Sequence, residues 1–259
     1  MATVYRDPIY RAVTSLFLAG AVLTSAVEIA VYDFLNNDGT GTLTARDTAD
    51  NLTASDLGRG SGITAFARTS SFAAYGWTTG ASPDANDYVE FTLTPAWGYS
   101  LSLDALTFGE QQVDLDTPWL STTAYDARNW AVRSSLDNYT ANLDYGSTTA
   151  PGSGAGTHSI DLSGLGTLTS AVTFRIYGYN ASDSFFLGLL RNPQPEFNDW
   201  ALVNYETGRG VTVTGEVTLI PEPGAGLFLA LGGAALLCRR RPRRRARGSA
   251  ATAATPAAA

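Results

Sequence analysis

The chain has 259 residues, with 17 Lys+Arg against 24 Asp+Glu, one histidine and one cysteine; every basic residue is an arginine. A single histidine excludes a multi-histidine zinc site, and a single cysteine excludes a disulfide framework. Val27 to Ile220 carries 8 arginines against 22 acidic residues, a net of −14, which disfavours nucleic acid and anionic lipid as partners of that part.

In chain order, Arg6 and Arg11 precede Ala12 to Val27, an uncharged run rich in Leu, Val and Ala. Thr24-Ser25-Ala26 supplies small residues for cleavage. This layout predicts a signal peptide over 1–26, against the alternative of a buried helix over Ala12 to Leu23.

From 27 to 219 the pattern is period-two. Glu28 to Leu35 reads as a strand closed by the turn Asn36-Asn37-Asp38-Gly39, residue types that tolerate left-handed backbone. Asn51 to Leu57 and Ile63 to Arg68 read as short strands around a break at Gly58-Arg59-Gly60. Tyr88 to Thr94 puts Val89, Phe91 and Leu93 on one face. Leu101 to Phe108 turns Leu101, Leu103 and Ala105 inward. Asn129 to Ser135, Thr157 to Leu162, Val172 to Tyr179, Phe185 to Leu190, Ala201 to Tyr205 and Val211 to Leu219 complete the set. Short strands separated by Gly, Pro, Asn and Asp predict an all-β, antiparallel β-sandwich or jelly-roll-like domain.

His158 follows a Gly/Ser/Thr/Ala stretch and reads as a solvated loop residue, without a G-x-S-x-G partner. Glu110, Asp114, Asp116, Asp126, Asp183, Glu196 and Asp199 fall in or near expected loops. A glycosidase needs two carboxylates about 5 to 10 Å apart, and the spacing here marks no pair. No catalytic residue and no cofactor is therefore assigned. Asp114-Leu115-Asp116 and Asn36 to Gly39 could offer oxygens to a structural calcium, but neither has a full EF-hand loop and turn formation is the favoured reading of both. Among Trp77, Trp97, Trp119, Trp130 and Trp200, Trp119 follows Pro118 in an expected loop and is the candidate for stacking on a sugar. Trp130 reads as core. Arg133, with Asp137, and Arg175 lie in strongly β-forming segments and read as ion pairs or carbonyl clasps.

The C-terminal part, 220–247, has a three-part order. Pro221-Glu222-Pro223 precedes the uncharged run Gly224 to Cys238. Arg239, Arg240, Arg241, Arg243, Arg244, Arg245 and Arg247 follow directly. From Leu219 to Cys238 only Glu222 is charged, 20 residues in all, about the length of a transmembrane helix. The arginines hold their end on the cytoplasmic side. Gly248 to Ala259 is an Ala/Thr/Pro segment whose composition predicts disorder.

This order resembles a PEP-CTERM protein-sorting signal. The resemblance implies export in bacteria, recognition at Pro221 to Pro223 by a membrane exosortase, and removal of the tail. Asn86 to Pro95, Gly98 to Leu103, Trp130 to Tyr139 and Val172 to Tyr179 are further similar to a recurrent ectodomain of such proteins, which implies a β-sandwich. The expected chain is thus a signal peptide, a sandwich and a transmembrane sorting helix, anchored before processing and then found on the cell surface or in extracellular matrix. A structural or adhesive role is the first reading and a module binding extracellular polysaccharide is the alternative. A glycoside-acting enzyme is the third.

Overall fold

The computed structural model describes residues 27–112, 127–149, 154–181 and 200–221. The signal-peptide run, the expected strand Phe185 to Leu190, Trp119, the carboxylates Asp114, Asp116, Asp126, Asp183, Glu196 and Asp199, and the tail from Glu222 onward lie outside the described residues.

The strands in chain order are β1 (Val27–Tyr32), β2 (Asp47–Thr48), β3 (Leu52–Ala54), β4 (Gly58–Arg59), β5 (Thr64–Phe66), β6 (Ser71–Tyr75), β7 (Tyr88–Pro95) and β8 (Tyr99–Gln112). They continue as β9 (Asn129–Ser134), β10 (Asp144–Ser147), β11 (Gly156–Asp161), β12 (Thr167–Leu168), β13 (Val172–Tyr179), β14 (Trp200–Val203) and β15 (Val211–Leu219). Two antiparallel sheets result. The larger runs β2-β1-β15-β8-β14-β6-β5, with β11 and β12 also paired to β8; the smaller runs β10-β9-β13-β7-β3, with β4 also on β7. The chain passes between the sheets at several points, so neither sheet is a simple meander.

The sheets close on a shared apolar layer. Phe91 of the smaller sheet meets Tyr32 of the larger at 5.4 Å between ring centroids and lies 5.7 Å from Phe174 beside it. Phe108 of β8 meets Trp130 of β9 edge-on at 5.3 Å, a geometry that the ring quadrupoles favour. Trp77 and Trp200 pack edge-on at 5.2 Å. Gly178 lies directly against them: a Cβ there would come within 2.9 Å of Trp77. The sequence expectation that Val89, Phe91 and Leu93 share a buried face holds.

Three expectations are corrected. Gly58-Arg59-Gly60 is not a break, because Gly58 and Arg59 pair with Glu90 and Val89. The Arg59 guanidinium stacks 3.6 Å over Phe72 and donates to the carbonyls of Gly39, Gly41 and Ala73. Ala105 does not point inward: along β8 the buried positions shift from Leu101 and Leu103 to Leu106, Phe108, Glu110 and Gln112. β8 also runs on past Phe108 to Gln112, so Glu110 is a strand residue rather than a loop residue. β6 and β10 were missed outright. Ser-Phe-Ala-Ala-Tyr and Asp-Tyr-Gly-Ser lack the bulky alternation that marks a half-buried strand.

Among the described residues, no helix is long and apolar enough to cross a membrane.

Candidate functional site

Strand alternation divides β7, β9 and β13 into two faces. Val89, Phe91, Leu93, Trp130, Val132, Phe174 and Ile176 enter the core. The alternate positions form rows across the outer face. One row is Tyr145, Ala131, Tyr177 and Tyr88, from β10 to β7. The next is Arg133, Arg175 and Glu90. Asn129 and Tyr179 pair in a third row above them.

The arginines are clasped among rings. Arg175 lies 3.8 Å from the ring centroids of both Tyr88 and Tyr139, and its Nε donates to Glu90 Oε2 at 2.9 Å. Burial works against the Arg175 charge, but the hydrogen bonds to Glu90 and Tyr177, together with the neighbouring Tyr139 and Tyr88, outweigh it, so its pKa is raised. Arg133 lies 5.3 Å from the Tyr177 ring. Its Nε donates to Asn142 Oδ1 at 2.7 Å and its Nη1 to the Tyr139 carbonyl at 3.1 Å. Asp137, expected beside Arg133, instead accepts from the Thr140 and Ala141 amides and caps its own turn. Asn138 and Tyr139 both have positive φ, 58° and 60°. This turn carries Tyr139 back over Arg175.

Tyr145 is 67% exposed, while Tyr88 and Tyr139 are half-buried. The face thus combines a free aromatic ring, two partly covered rings, two guanidinium groups, the Glu90 carboxylate and the amides of Asn129 and Asn142. Aromatic faces stack on the C–H surface of a sugar, and forked guanidinium donors bind its hydroxyls or carboxylates. Pro/Gly punctuation and period-two counting located β7, β9 and β13 but not β10, and could not reveal this cluster. It unites residues far apart in sequence, and Tyr139 joins it only through a left-handed turn.

The second polar cluster is inside the sandwich. Glu110 is fully buried. Its Oε1 accepts from the Thr149 amide at 2.7 Å and lies 3.2 Å from His158 Nε2; its Oε2 accepts from Trp200 Nε1 at 2.8 Å. Burial pushes the Glu110 pKa up, but the hydrogen bonds from His158, Thr149 and Trp200 outweigh it and hold the value below the ordinary glutamate range. His158 is therefore no loop residue. It sits within β11 opposite Phe108, 4.5 Å from the Trp130 ring. The group ties β8, β11 and β14 together from within, and both carboxylate oxygens are already engaged. Gly156 makes room for it: a Cβ there would come within 2.5 Å of Glu110 Oε1.

The remaining candidates are dispersed. Trp77, Trp130 and Trp200 are core, whereas Trp97 is 97% exposed at the tip between β7 and β8. The Asn36 to Gly39 turn forms as expected, with φ of 64° at Asn36 and 84° at Gly39. Asp38 Oδ1 accepts there from both the Thr40 amide and hydroxyl, which is turn chemistry. Among the described residues, no group of three or more acidic, histidine or cysteine side chains could hold a metal. An open groove of about 660 Å³ on the larger sheet is lined by Arg68, Gln111, Asn204 and Tyr205, among others. Arg68 Nη2 donates to Gln111 Oε1 across it at 3.0 Å.

No protein-family model matches the chain, and no curated protein matches it. Two solved variants of CBM29-2, described as a family 29 carbohydrate binding module, align at 11% identity and a TM-score of 0.28. One alignment covers 74% of this chain and 91% of the other; the second covers 76% and 99%. The cleaved adhesin domain of Lys-gingipain from Porphyromonas gingivalis aligns at 13% identity and a TM-score of 0.29, over 73% of this chain and 99% of the other.

Proposed function

We propose that the sandwich is a carbohydrate-binding module that uses the outer face of its smaller sheet. The observation that carries the reading is exposed Tyr145 and half-buried Tyr88 in one row, on either side of the buried Tyr177, beside Arg133 and Arg175. Core packing alone gives no reason for an exposed tyrosine at the edge of a row of arginine-clasped rings. Binding is preferred to hydrolysis because the buried carboxylate nearest a histidine, Glu110, has its hydrogen bonds filled from within the protein. The ligand class is an extracellular polysaccharide. The stacking surface takes sugar rings, and Arg133 and Arg175 suit uronic-acid carboxylates as well as hydroxyls. A glycan array, followed by affinity electrophoresis in the best polysaccharide, tests this. The wild type is retarded and Tyr145→Ala, Tyr88→Ala and Arg133→Ala lose the retardation. Equal retardation of all four proteins overturns the reading.

The tail order Pro221-Glu222-Pro223, uncharged run and arginine cluster supports export, recognition by an exosortase and release to the surface or matrix. Intact-mass measurement on envelope material tests this part. A processed protein lacks Arg239 to Ala259, and a surface pool that retains the arginines contradicts sorting.

A further inference from the structure

The exposed tryptophan of the hairpin stands at the end of the domain from which the C-terminal segment departs. β7 and β8 meet in a tight turn, where the Tyr99 amide donates to the Ala96 carbonyl at 3.0 Å and Gly98 has φ of 83°. The Ala96 amide donates to the Asn51 carbonyl at 2.8 Å. The turn is thereby held on two sides, yet it presents Trp97 with 97% of its surface free. An unpartnered tryptophan of this kind is uncommon, since it leaves a large apolar ring in water.

Strand register identifies what else lies at this end. Ser100, near the start of β8, bonds hydroxyl to hydroxyl with Thr218, near the finish of β15, at 3.0 Å. β15 therefore runs toward the hairpin. β1 pairs antiparallel with β15, so it begins at this end, with exposed Val27 opposite Gly215. The 3-10 turn Ser135–Asp137 follows β9 here too, its Ser135 Oγ accepting from the Thr173 amide at 3.0 Å. That turn bears exposed Leu136. Three exposed apolar side chains, Val27, Trp97 and Leu136, thus share one end. Only the five residues Leu219 to Pro223 separate Thr218 from the uncharged run that starts at Gly224. Fully extended, that connection reaches at most about 22 Å.

We infer that this end faces the bilayer while the C-terminal run is in the membrane, with Trp97 seated in the lipid interface. The inference rests on the anchoring part of the proposed function. Tryptophan belongs at that depth because its ring is apolar and its N–H stays wet. The short connection keeps the domain close enough to reach. The net charge of −14 on Val27 to Ile220 makes a zwitterionic lipid surface the compatible one. The seat would orient the sandwich with the Thr218 end of β15 toward the membrane and the opposite turns, around Thr207, away from it.

The test uses the full chain in phosphatidylcholine vesicles. Cys238→Ser removes the only native thiol, and an environment-sensitive dye is placed by Ala96→Cys or, at the far end of β15, by Thr207→Cys. A headgroup-proximal nitroxide lipid is the quencher. The expected result is a blue shift and roughly threefold stronger quenching at position 96 than at 207, with the difference lost when Trp97→Ser is added. A chain that floats with vesicles but shows equal, weak quenching at both positions overturns the interfacial seat and leaves the anchor standing. A chain that does not float overturns the anchor and this inference with it. A blue shift at 96 without lipid shows a second copy covering Trp97, which also overturns it.

Discussion

The two faces of the smaller sheet are cut from the same strands, yet they do different work. On the inner face, Val89, Phe91, Phe174, Ile176 and Trp130 are sealed against the larger sheet. On the outer face, one residue along, Tyr88, Glu90, Arg133, Arg175 and Tyr145 remain wholly or partly in water. Apolar area removed from water stabilises the fold by roughly 25 cal/mol per Å², so stability should reside on the first face. The second face carries charges held by rings and carbonyls. Exposed or half-exposed pairs of that kind contribute little to folding, which leaves their arrangement available for recognition. If the division is real, substitutions on the two faces must separate in their effects.

The largest effect is expected at Phe91, whose ring touches both Tyr32 and Phe174. Phe91→Ala should cost about 3 to 5 kcal/mol in urea unfolding, and any loss of glycan binding should track the unfolded fraction. A cost near zero would mean that the two sheets do not close on this ring.

Glu110 comes next. Removing its carboxylate strands the Trp200 indole N–H, the Thr149 amide and the His158 ring in a buried site. Glu110→Ala should therefore cost about 2 to 4 kcal/mol. The same group makes a pH signature. Its pKa is lowered by folding, so its contribution is fully present above the unfolded-state value, about 4.3. It fades as pH falls through the lower folded value. Melting temperature followed from neutral pH downward should show this acid-side loss, and Glu110→Gln should flatten it. His158→Ala is expected to weaken the same network, contrary to the neutral substitution that a loop histidine would allow.

On the outer face the effects should shrink. Arg175→Ala removes two ring contacts and a half-exposed ion pair, worth about 1 kcal/mol of stability. Tyr145→Ala should change stability by less than about 0.5 kcal/mol while weakening glycan binding roughly tenfold, the loss of one stacked ring. A large fall in melting temperature with Tyr145→Ala would erase the distinction between the faces.

The strand positions were legible because burial on one face leaves a period of two. Tyr88 to Thr94 shows it throughout and Val172 to Ile176 shows it before three further buried positions in a row, and the structure places strands there. β8 defeated the same reading because its buried positions change phase at Asp104–Ala105, so an extrapolated alternation placed Ala105 inside and ended the strand before Glu110. His158 was misread because the residues before it are small and polar, while its own setting is made by Phe108 on the neighbouring strand. The outer-face cluster was visible only in part. Arg133 and Arg175 stood out as arginines in β-forming segments, but their tyrosine partners come from other strands and from the turn at Asn138. No local pattern encodes that meeting. Trp97 was one of five tryptophans in the sequence, and only strand pairing reveals that its hairpin leaves it exposed.

The most direct test of the binding face is chemical-shift mapping of the isotopically labelled protein with the oligosaccharide that gives the strongest array signal. The expected perturbations centre on Tyr88, Arg133, Tyr139, Tyr145 and Arg175, with Phe91 and Val132 beneath them little changed. Perturbations centred instead on Gln111, Asn204 and Tyr205 would move the site to the groove of the larger sheet, and saturating oligosaccharide without any shift would contradict carbohydrate binding by the sandwich.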